Sequence, residues 1–288
     1  GVDSSLSAAL MVEQGWQTIG VTLKLMPREN TGFGCCGSPV DIDDAKRVSE
    51  SLNIPHYTLN LSDLFEDKVI KPFIQSYLQS QTPNPCVECN RSVKFGYLLA
   101  LAQAWEADCV ATGHYARIKD GRMFRPKDLE KDQTYFLYSL TPKELAKTHF
   151  PLGELTKSEV RARARALGLK TADKPESQEI CFVPNKDYRG FIESRVDLLA
   201  DSGQAALNGG PIEDSAGRPM GQHKGLVSYT IGQRKGLNLD KPTVQPAYVI
   251  GMKPASNTLV VGPAEETLAS SFVATGVSWT TAEPSSAI

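Results

Sequence analysis

The sequence predicts an α/β protein in three parts: a parallel-sheet nucleotide-binding domain, a small linking domain and the beginning of a β-barrel. Three observations carry this. Strand-like apolar runs alternate with helical periodicity over the first 200 residues. The opening Gly1-Val2-Asp3-Ser4-Ser5 sits directly before a helical segment, as a phosphate-binding turn does. From Gly203 onward, glycines, prolines and short alternating runs replace the helical pattern. The boundaries expected from this texture are residues 1–200, 201–245 and 246–288.

The first helix is read from Leu6, Ala9, Leu10 and Met11, with Gly15 as its stop. Thr18 to Leu25 reads as a strand, and Asp41 to Leu52 as a helix whose acidic first turn suits the positive end of the helix dipole. His56 to Leu61 is a second strand. Ser62 is expected to cap a long helix with Leu64, Val69, Ile70 and Phe73 on one face. A proline-rich loop at 82–86 leads to a helix from Ser92 to Trp105, then a buried strand from Asp108 to Thr112. Thr156-Lys157-Ser158-Glu159 is a capping box opening a helix to Leu167, ended by Gly168. Asp187 to Leu198 is one more helix. Val227–Ile231, Tyr248–Ile250 and Thr258–Val261 read as strands. On a parallel sheet, ligands bind at the carboxyl ends of strands, which places both the 1–5 turn and Gly113-His114-Tyr115 there.

Composition excludes several classes. The chain of 288 residues is 41% hydrophobic and 22% charged, which fits a globular protein. A net charge of −2 announces no global affinity for nucleic acid, so any RNA contact must come from a local patch. No apolar run approaches membrane-spanning length and no signal peptide is visible, which makes a cytoplasmic location the expectation. Both ends read as cut, because a phosphate loop of this type follows a strand and Gly1 already lies inside the loop.

Six cysteines without a secretory signal argue for metal binding or catalysis rather than a disulfide framework. Cys86 and Cys89 form a Cys-x-x-Cys pair, and Cys181 is the natural third partner. The three suit a site-differentiated iron–sulfur cluster, or else one thiolate attacks while another carries a persulfide. The plainer reading is that Cys86 fills a tight turn. Cys109 reads as an inert core thiol, and Cys35-Cys36 as a loop pair without a chemical role. His114 suits either a phosphate or base contact or a satisfied core histidine. Arg161, Arg163 and Arg165, with Lys157 and Lys170, read either as a solvated helix face or as an RNA backbone contact.

Taken together, Gly1 to Ser5, Thr82-Pro83-Asn84-Pro85 through Cys89-Asn90, Val93-Lys94-Phe95, Ala111 to Tyr115, Lys131 to Leu137, Ser177 to Phe182 and Tyr229 to Leu237 occur in the same order in tRNA-specific 2-thiouridylases. The chain resembles that family along essentially its whole length. The resemblance implies a PP-loop domain of the adenine nucleotide alpha hydrolase type. It also implies ATP with Mg2+ as the activating nucleotide, and replacement of the C2 oxygen of a wobble uridine by sulfur after adenylation. Gly1, Val2, Asp3, Ser4 and Ser5 would be the phosphate loop, with Leu23 and Gly113 flanking the nucleotide. Cys89 matches the nucleophile and Cys181 the persulfide carrier. Asn84, Pro85 and Cys86 would meet the target base, and His114, Lys131, Asp132 and Gln133 would contact tRNA. Implied partners are the tRNA anticodon loop and a cysteine desulfurase or sulfur-relay protein.

Many family members have aspartate where this chain has Cys86. That departure favours a 4Fe–4S cluster on Cys86, Cys89 and Cys181 as the competing source of sulfur. The rival expectations are a non-catalytic RNA- or metal-binding protein, or another ATP-pyrophosphatase-type adenylating enzyme.

Overall fold

The computed structural model describes residues 1–26, 38–176, 180–196, 204–242 and 245–280. Contacts divide the chain into two units. The first joins Gly1–Lys68 to Cys86–Pro184 and takes up the chain again from Gly276; the second joins Val69–Pro85 to Asn185–Thr275. Cys35 and Cys36 lie outside the described residues.

The first unit opens on α1 (Val2–Glu13), for which Gly1 is the N-cap. Strand β1 (Gly20–Lys24) pairs in parallel with β2 (His56–Asn60), with Leu23 opposite Leu59. Between them runs α2 (Pro39–Ser51), started by Ser38, whose hydroxyl accepts from the Asp41 N–H at 3.2 Å, and by Pro39 in the first turn. Helix α3 (Ser62–Phe65) begins one residue earlier than a cap at Ser62 would place it. Leu61 is the N-cap, and the Ser62 N–H and hydroxyl both bond Asn60 Oδ1 instead.

The helical run continues as a π-helical turn, Glu66–Ile70, into α4 (Lys71–Leu78). Pro72 lacks an N–H and its ring crowds the carbonyl four residues back, so the ladder widens just before it. A second widened stretch, Cys89–Phe95, lies between α5 (Pro85–Glu88) and α6 (Gly96–Ala104). There the Gly96 N–H reaches back to Arg91 O, and a Cβ at Gly96 would lie 2.7 Å from that oxygen.

Strand β3 (Val110–Ala111) is shorter than the Asp108–Thr112 span expected, and it pairs in parallel with β6 (Thr148–His149). A hairpin of β4 (Arg117–Lys119) and β5 (Arg122–Phe124) precedes β6, as does α7 (Pro142–Leu145). Its two-residue turn, Asp120-Gly121, has φ of 51° and 70°, as a primed hairpin turn requires. Helix α8 (Lys157–Ala166) carries the full capping box expected from Thr156 and Glu159, and Gly168 follows it at φ 65°.

Two clusters form the core of this unit. Leu6, Ala9 and Leu10 of α1 pack with Val160 and Ala164 of α8, Tyr115 and Leu152. The alanines let the two helices approach closely. Phe95, Ala116, Leu137, Leu140, Leu145 and Phe150 form the other cluster, with Ile118 and Met123 of the hairpin against it.

In the second unit, α4 presents Phe73 and Tyr77 to α9 (Tyr188–Glu193). Tyr77 stacks on Tyr188 at 5.1 Å, and Phe73 meets Phe191 edge-on at 6.4 Å. The other element is a four-stranded sheet in the order β8 (Pro219–His223), β7 (Gly210–Asp214), β10 (Thr258–Gly262), β9 (Tyr248–Lys253). The β7–β10 pair is parallel and the outer pairs are antiparallel, so this sheet takes strands from both sides of residue 245.

The strand expected at Val227–Ile231 is not one. Leu226–Ser228 is a 3-10 turn between Gly225 and Gly232, at φ 126° and 85°. Leu226, Val227 and Tyr229 are all buried, so this run folds onto the core as a turn instead of alternating. Among the described residues, no helix is long and apolar enough to cross a membrane.

Candidate active site

The first turn of α1 and the segment leaving β3 meet through glycine. A Cβ at Gly113 would lie 2.8 Å from both Asp3 C and Ser4 N, and 2.9 Å from Asp3 Cβ. Only a glycine lets the carboxyl end of β3 lie directly on the N-terminal turn of α1. The hydroxyls of Ser4 and Ser5 donate to Gly1 O at 3.1 and 2.9 Å, fixing the turn from within. Val2 is buried beneath it. The positive end of the α1 dipole therefore stands at the end of a parallel strand pair, an arrangement that receives phosphate in α/β folds. Leu23, half-buried, lies on β1.

Asp3 is the hub of a charge network. Lys157 Nζ lies 2.8 Å from each of its carboxylate oxygens, and the Tyr115 hydroxyl donates to Oδ1 at 2.9 Å. Burial and the Asp3 charge push the Tyr115 phenol far up, so it remains a donor. Lys157 also lies 3.2 Å from Glu176, which accepts from Lys131 at 2.7 Å. The hydrogen bond from Lys131 holds the Glu176 carboxyl below its usual range, and burial opposes it.

A lysine in the first turn of a helix faces an adverse dipole. At Lys157 the two carboxylates supply the reason, and Asp128 accepts its N–H at 2.8 Å. Lys157, Tyr115 and Glu176 are the site residues that sequence reasoning did not single out for this role. The misplaced charge at Lys157 was the available signal.

The expected tRNA-contacting triplet is tied inward. Besides Lys131, Asp132 accepts from the Thr134 N–H and hydroxyl at 2.9 and 2.7 Å and pairs with Arg125 at 2.6 Å. Gln133 clamps Tyr115 on both sides. Its Oε1 accepts the Tyr115 N–H at 2.9 Å, and its own N–H donates to Tyr115 O at 3.1 Å. The triplet thus positions the residue that hydrogen-bonds Asp3.

The basic stretch on α8 is divided, with Arg161 half-buried and Arg163 and Arg165 exposed. Arg161 donates to Ala172 O and Lys174 O, and Arg165 pairs with Asp173.

His114 is buried between Phe95 and Phe150, with ring centroids 5.7 and 6.1 Å away, and its Nδ1 lies 2.8 Å from Thr112 Oγ1. Burial, then the Lys94 charge, hold it neutral, well below the usual imidazole value. A depressed folded value gives stability that is full above the unfolded value of about 6.5 and is lost as pH falls below it. Urea midpoints measured from pH 7.5 to 5 are expected to fall for the parent and to flatten for His114→Phe. Parallel curves would contradict this assignment.

Among the cysteines, Cys86 is exposed on α5, Cys89 is buried at the start of the π-helical stretch and Cys181 is half-buried. Widened helical turns are frequent at functional positions. Asn90, beside Cys89, donates to Phe136 O at 2.9 Å, while its buried Oδ1 has no hydrogen-bond partner among the described residues. Burial, then Asp108, push the Cys109 thiol up, in keeping with an unreactive role. Among the described residues no three histidine, cysteine or acidic side chains gather to hold a metal ion, so Cys86, Cys89 and Cys181 as arranged here do not fit a cluster.

In the second unit, half-buried Asn84 and buried Pro85 follow Thr82, whose hydroxyl donates to Thr230 at 3.0 Å. Gln233 holds the Tyr229–Leu237 motif on β9: Val249 donates to Gln233 O at 2.9 Å, and Gly232 donates to Val249 O at 2.8 Å.

Known proteins resemble the chain over most of its length. The model of a tRNA methyl transferase HUP domain matches residues 1–185, and that of a tRNA methyl transferase PRC-barrel domain matches residues 197–263. The tRNA-specific 2-thiouridylase MnmA of Moorella thermoacetica is 49% identical over 92% of this chain and 74% of its own length. The protein of that name from Heliobacterium modesticaldum is 46% identical over 97% of this chain and 72% of its own. Among solved structures, the U34-tRNA thiolase NcsA of Methanococcus maripaludis matches at TM-score 0.40 and 20% identity, over 69% of this chain and 62% of its own.

Proposed function

Because the chain belongs to the tRNA-specific 2-thiouridylase family, we propose that it uses ATP to replace the C2 oxygen of a tRNA wobble uridine with sulfur. The observation that carries this reading is the packing of Gly113 on the first turn of α1, which brings a helix N-terminus to the end of β3. The amide hydrogens of Gly1 to Ser4 hold the phosphates there, while that of Ser5 closes the first turn onto Gly1 O at 3.2 Å, with Leu23 and Gly113 beside the nucleotide. Lys157 offsets the Asp3 carboxylate at 2.8 Å, so that a polyanion can approach the turn. Mg2+ accompanies the ATP phosphates.

The chemistry follows from what uridine lacks. A carbonyl oxygen is a poor leaving group. The C2 oxygen attacks the α-phosphorus of ATP, pyrophosphate leaves, and the oxygen becomes part of an adenylate. The terminal sulfur of a persulfide on Cys181 then attacks C2, and AMP departs with the oxygen. The Cys89 thiolate attacks the Cys181 sulfur of the resulting C2–S–S linkage. That step frees 2-thiouridine and leaves a Cys89–Cys181 disulfide, which an external thiol reduces. The incoming sulfur comes from a persulfide donor such as a cysteine desulfurase or a relay protein. The base leaves its stack to react, which costs least in a single-stranded anticodon loop. Asn84, Pro85 and Cys86, contiguous with Cys89, meet it.

Labelled ATP tests the reaction class. AMP and pyrophosphate are expected only when unmodified tRNA is present. AMP release without tRNA would favour a small-molecule adenylating enzyme, and tRNA binding with no AMP would favour a non-catalytic RNA-binding protein.

A further inference from the structure

We propose that the outer face of the β4–β5 hairpin docks the sugar–phosphate backbone of the RNA, a reading that rests on the tRNA substrate assigned above. The hairpin has two unlike faces. Ile118 and Met123, partners in the register, pack on the cluster containing Leu137 and Leu140. The alternate pairs, Arg117 with Phe124 and Lys119 with Arg122, therefore lie on the opposite face. Lys119 and Arg122 are exposed, and Phe124 is 44% exposed.

Like charges directly opposite one another destabilise an antiparallel pair. Here Lys119 and Arg122 face each other and make no ion pair among the described residues. The one acid in the hairpin is Asp120, in the turn. Arg117 is compensated, with Glu154 at 3.3 Å and Arg125 O at 2.7 Å. An uncompensated cation pair in a chain of net charge −2 is complementary to a polyanion. The adjoining exposed ring suits the face of a base or ribose.

The position fits the substrate as well. Arg125, next after the hairpin, is bridged at 2.6 Å to Asp132, which caps the turn carrying Tyr135, 67% exposed. The neighbouring triplet Lys131-Asp132-Gln133 has its side chains committed within the unit, whereas the hairpin cations face outward.

Titration of unmodified tRNA across a salt series tests this. For Lys119→Gln/Arg122→Gln, binding is expected to weaken roughly tenfold, and the slope of log K against log salt to fall by about 1.5. For Phe124→Ala, binding should weaken about tenfold with the slope unchanged, because stacking releases no counterions. The double variant should melt no lower than the parent, since a repulsion has been removed. If it nonetheless folds poorly, Lys119→Gln alone should lower the slope by about 0.8. Parental affinity and slope in the folded variants would overturn the proposal. A parent chain that binds no tRNA would instead overturn the substrate reading, and the hairpin proposal with it.

Discussion

Cys89→Ser is expected to abolish sulfur transfer, lowering the rate of 2-thiouridine formation by about 10³-fold or more. Serine is nearly isosteric with cysteine. Its hydroxyl stays protonated at neutral pH and is a far weaker nucleophile toward sulfur than a thiolate. Cys89 is 7% exposed, so although the volume is kept, a hydroxyl buried there is expected to cost about 1–3 kcal/mol, and the variant is assayed below its melting transition. Adenylation precedes the step that needs Cys89, so tRNA-dependent AMP release should persist for a single turnover and then stop. Cys181→Ser tests the sulfur carrier. Supplied with a persulfide donor it should be as inactive as Cys89→Ser, and activity retained with that donor would show that Cys181 carries no sulfur. Parental turnover by Cys89→Ser would remove it from the mechanism.

Gly113→Ala is the second large effect. The added Cβ meets backbone, Asp3 C and Ser4 N at 2.8 Å, and no side-chain rotation relieves that. Either the first turn of α1 or the Gly113 segment must shift. Overpacking of this kind costs about 1–3 kcal/mol. A displacement of about 1 Å in groups that position phosphates costs about 10²-fold in rate. We therefore expect kcat/KM for ATP to fall about 10²-fold, with a modest loss in melting temperature and little change in tRNA affinity. Gly251→Ala is the control, since its Cβ would find only ordinary contact at 3.7 Å from Val260. An ATP dependence unchanged in Gly113→Ala would mean that the nucleotide does not lie at this turn.

The parts of the fold that were legible in the sequence are those set by local chemistry. Thr156 and Glu159 are three residues apart and cap α8 reciprocally, so the helix start could be read directly. Ser38, Pro39 and Asp41 act the same way on α2, which accordingly begins two residues before the acidic turn expected to open it. Alternation did not suffice at Val227–Ile231, because burial of consecutive apolar residues between two positive-φ glycines overrides the strand signal.

In the candidate site, the approach of the Gly1–Ser5 turn to Gly113 was readable, because the sequence places both at the carboxyl ends of strands. The partnership of Asp3 with Lys157 was not, since 154 residues separate them and only folding brings them to 2.8 Å. The internal partners of Asp132 and Gln133, Thr134 and the Tyr115 backbone, were hidden for the same reason. The π-helical stretch beginning at Cys89 ends at Gly96, seven residues on, whose N–H reaches Arg91 O, and no residue pattern announced it.

The central claim is most directly tested by electrophoresis of the tRNA product on a gel containing mercury, which retards thiolated RNA. The chain is incubated with unmodified tRNA, a persulfide source and ATP, beside reactions lacking ATP and reactions with Cys89→Ser. The account predicts a retarded band that needs both ATP and Cys89, and that maps to C2 of the wobble uridine on nucleoside analysis. A retarded band formed equally without ATP, or no band while tRNA is bound and the protein is folded, would contradict it.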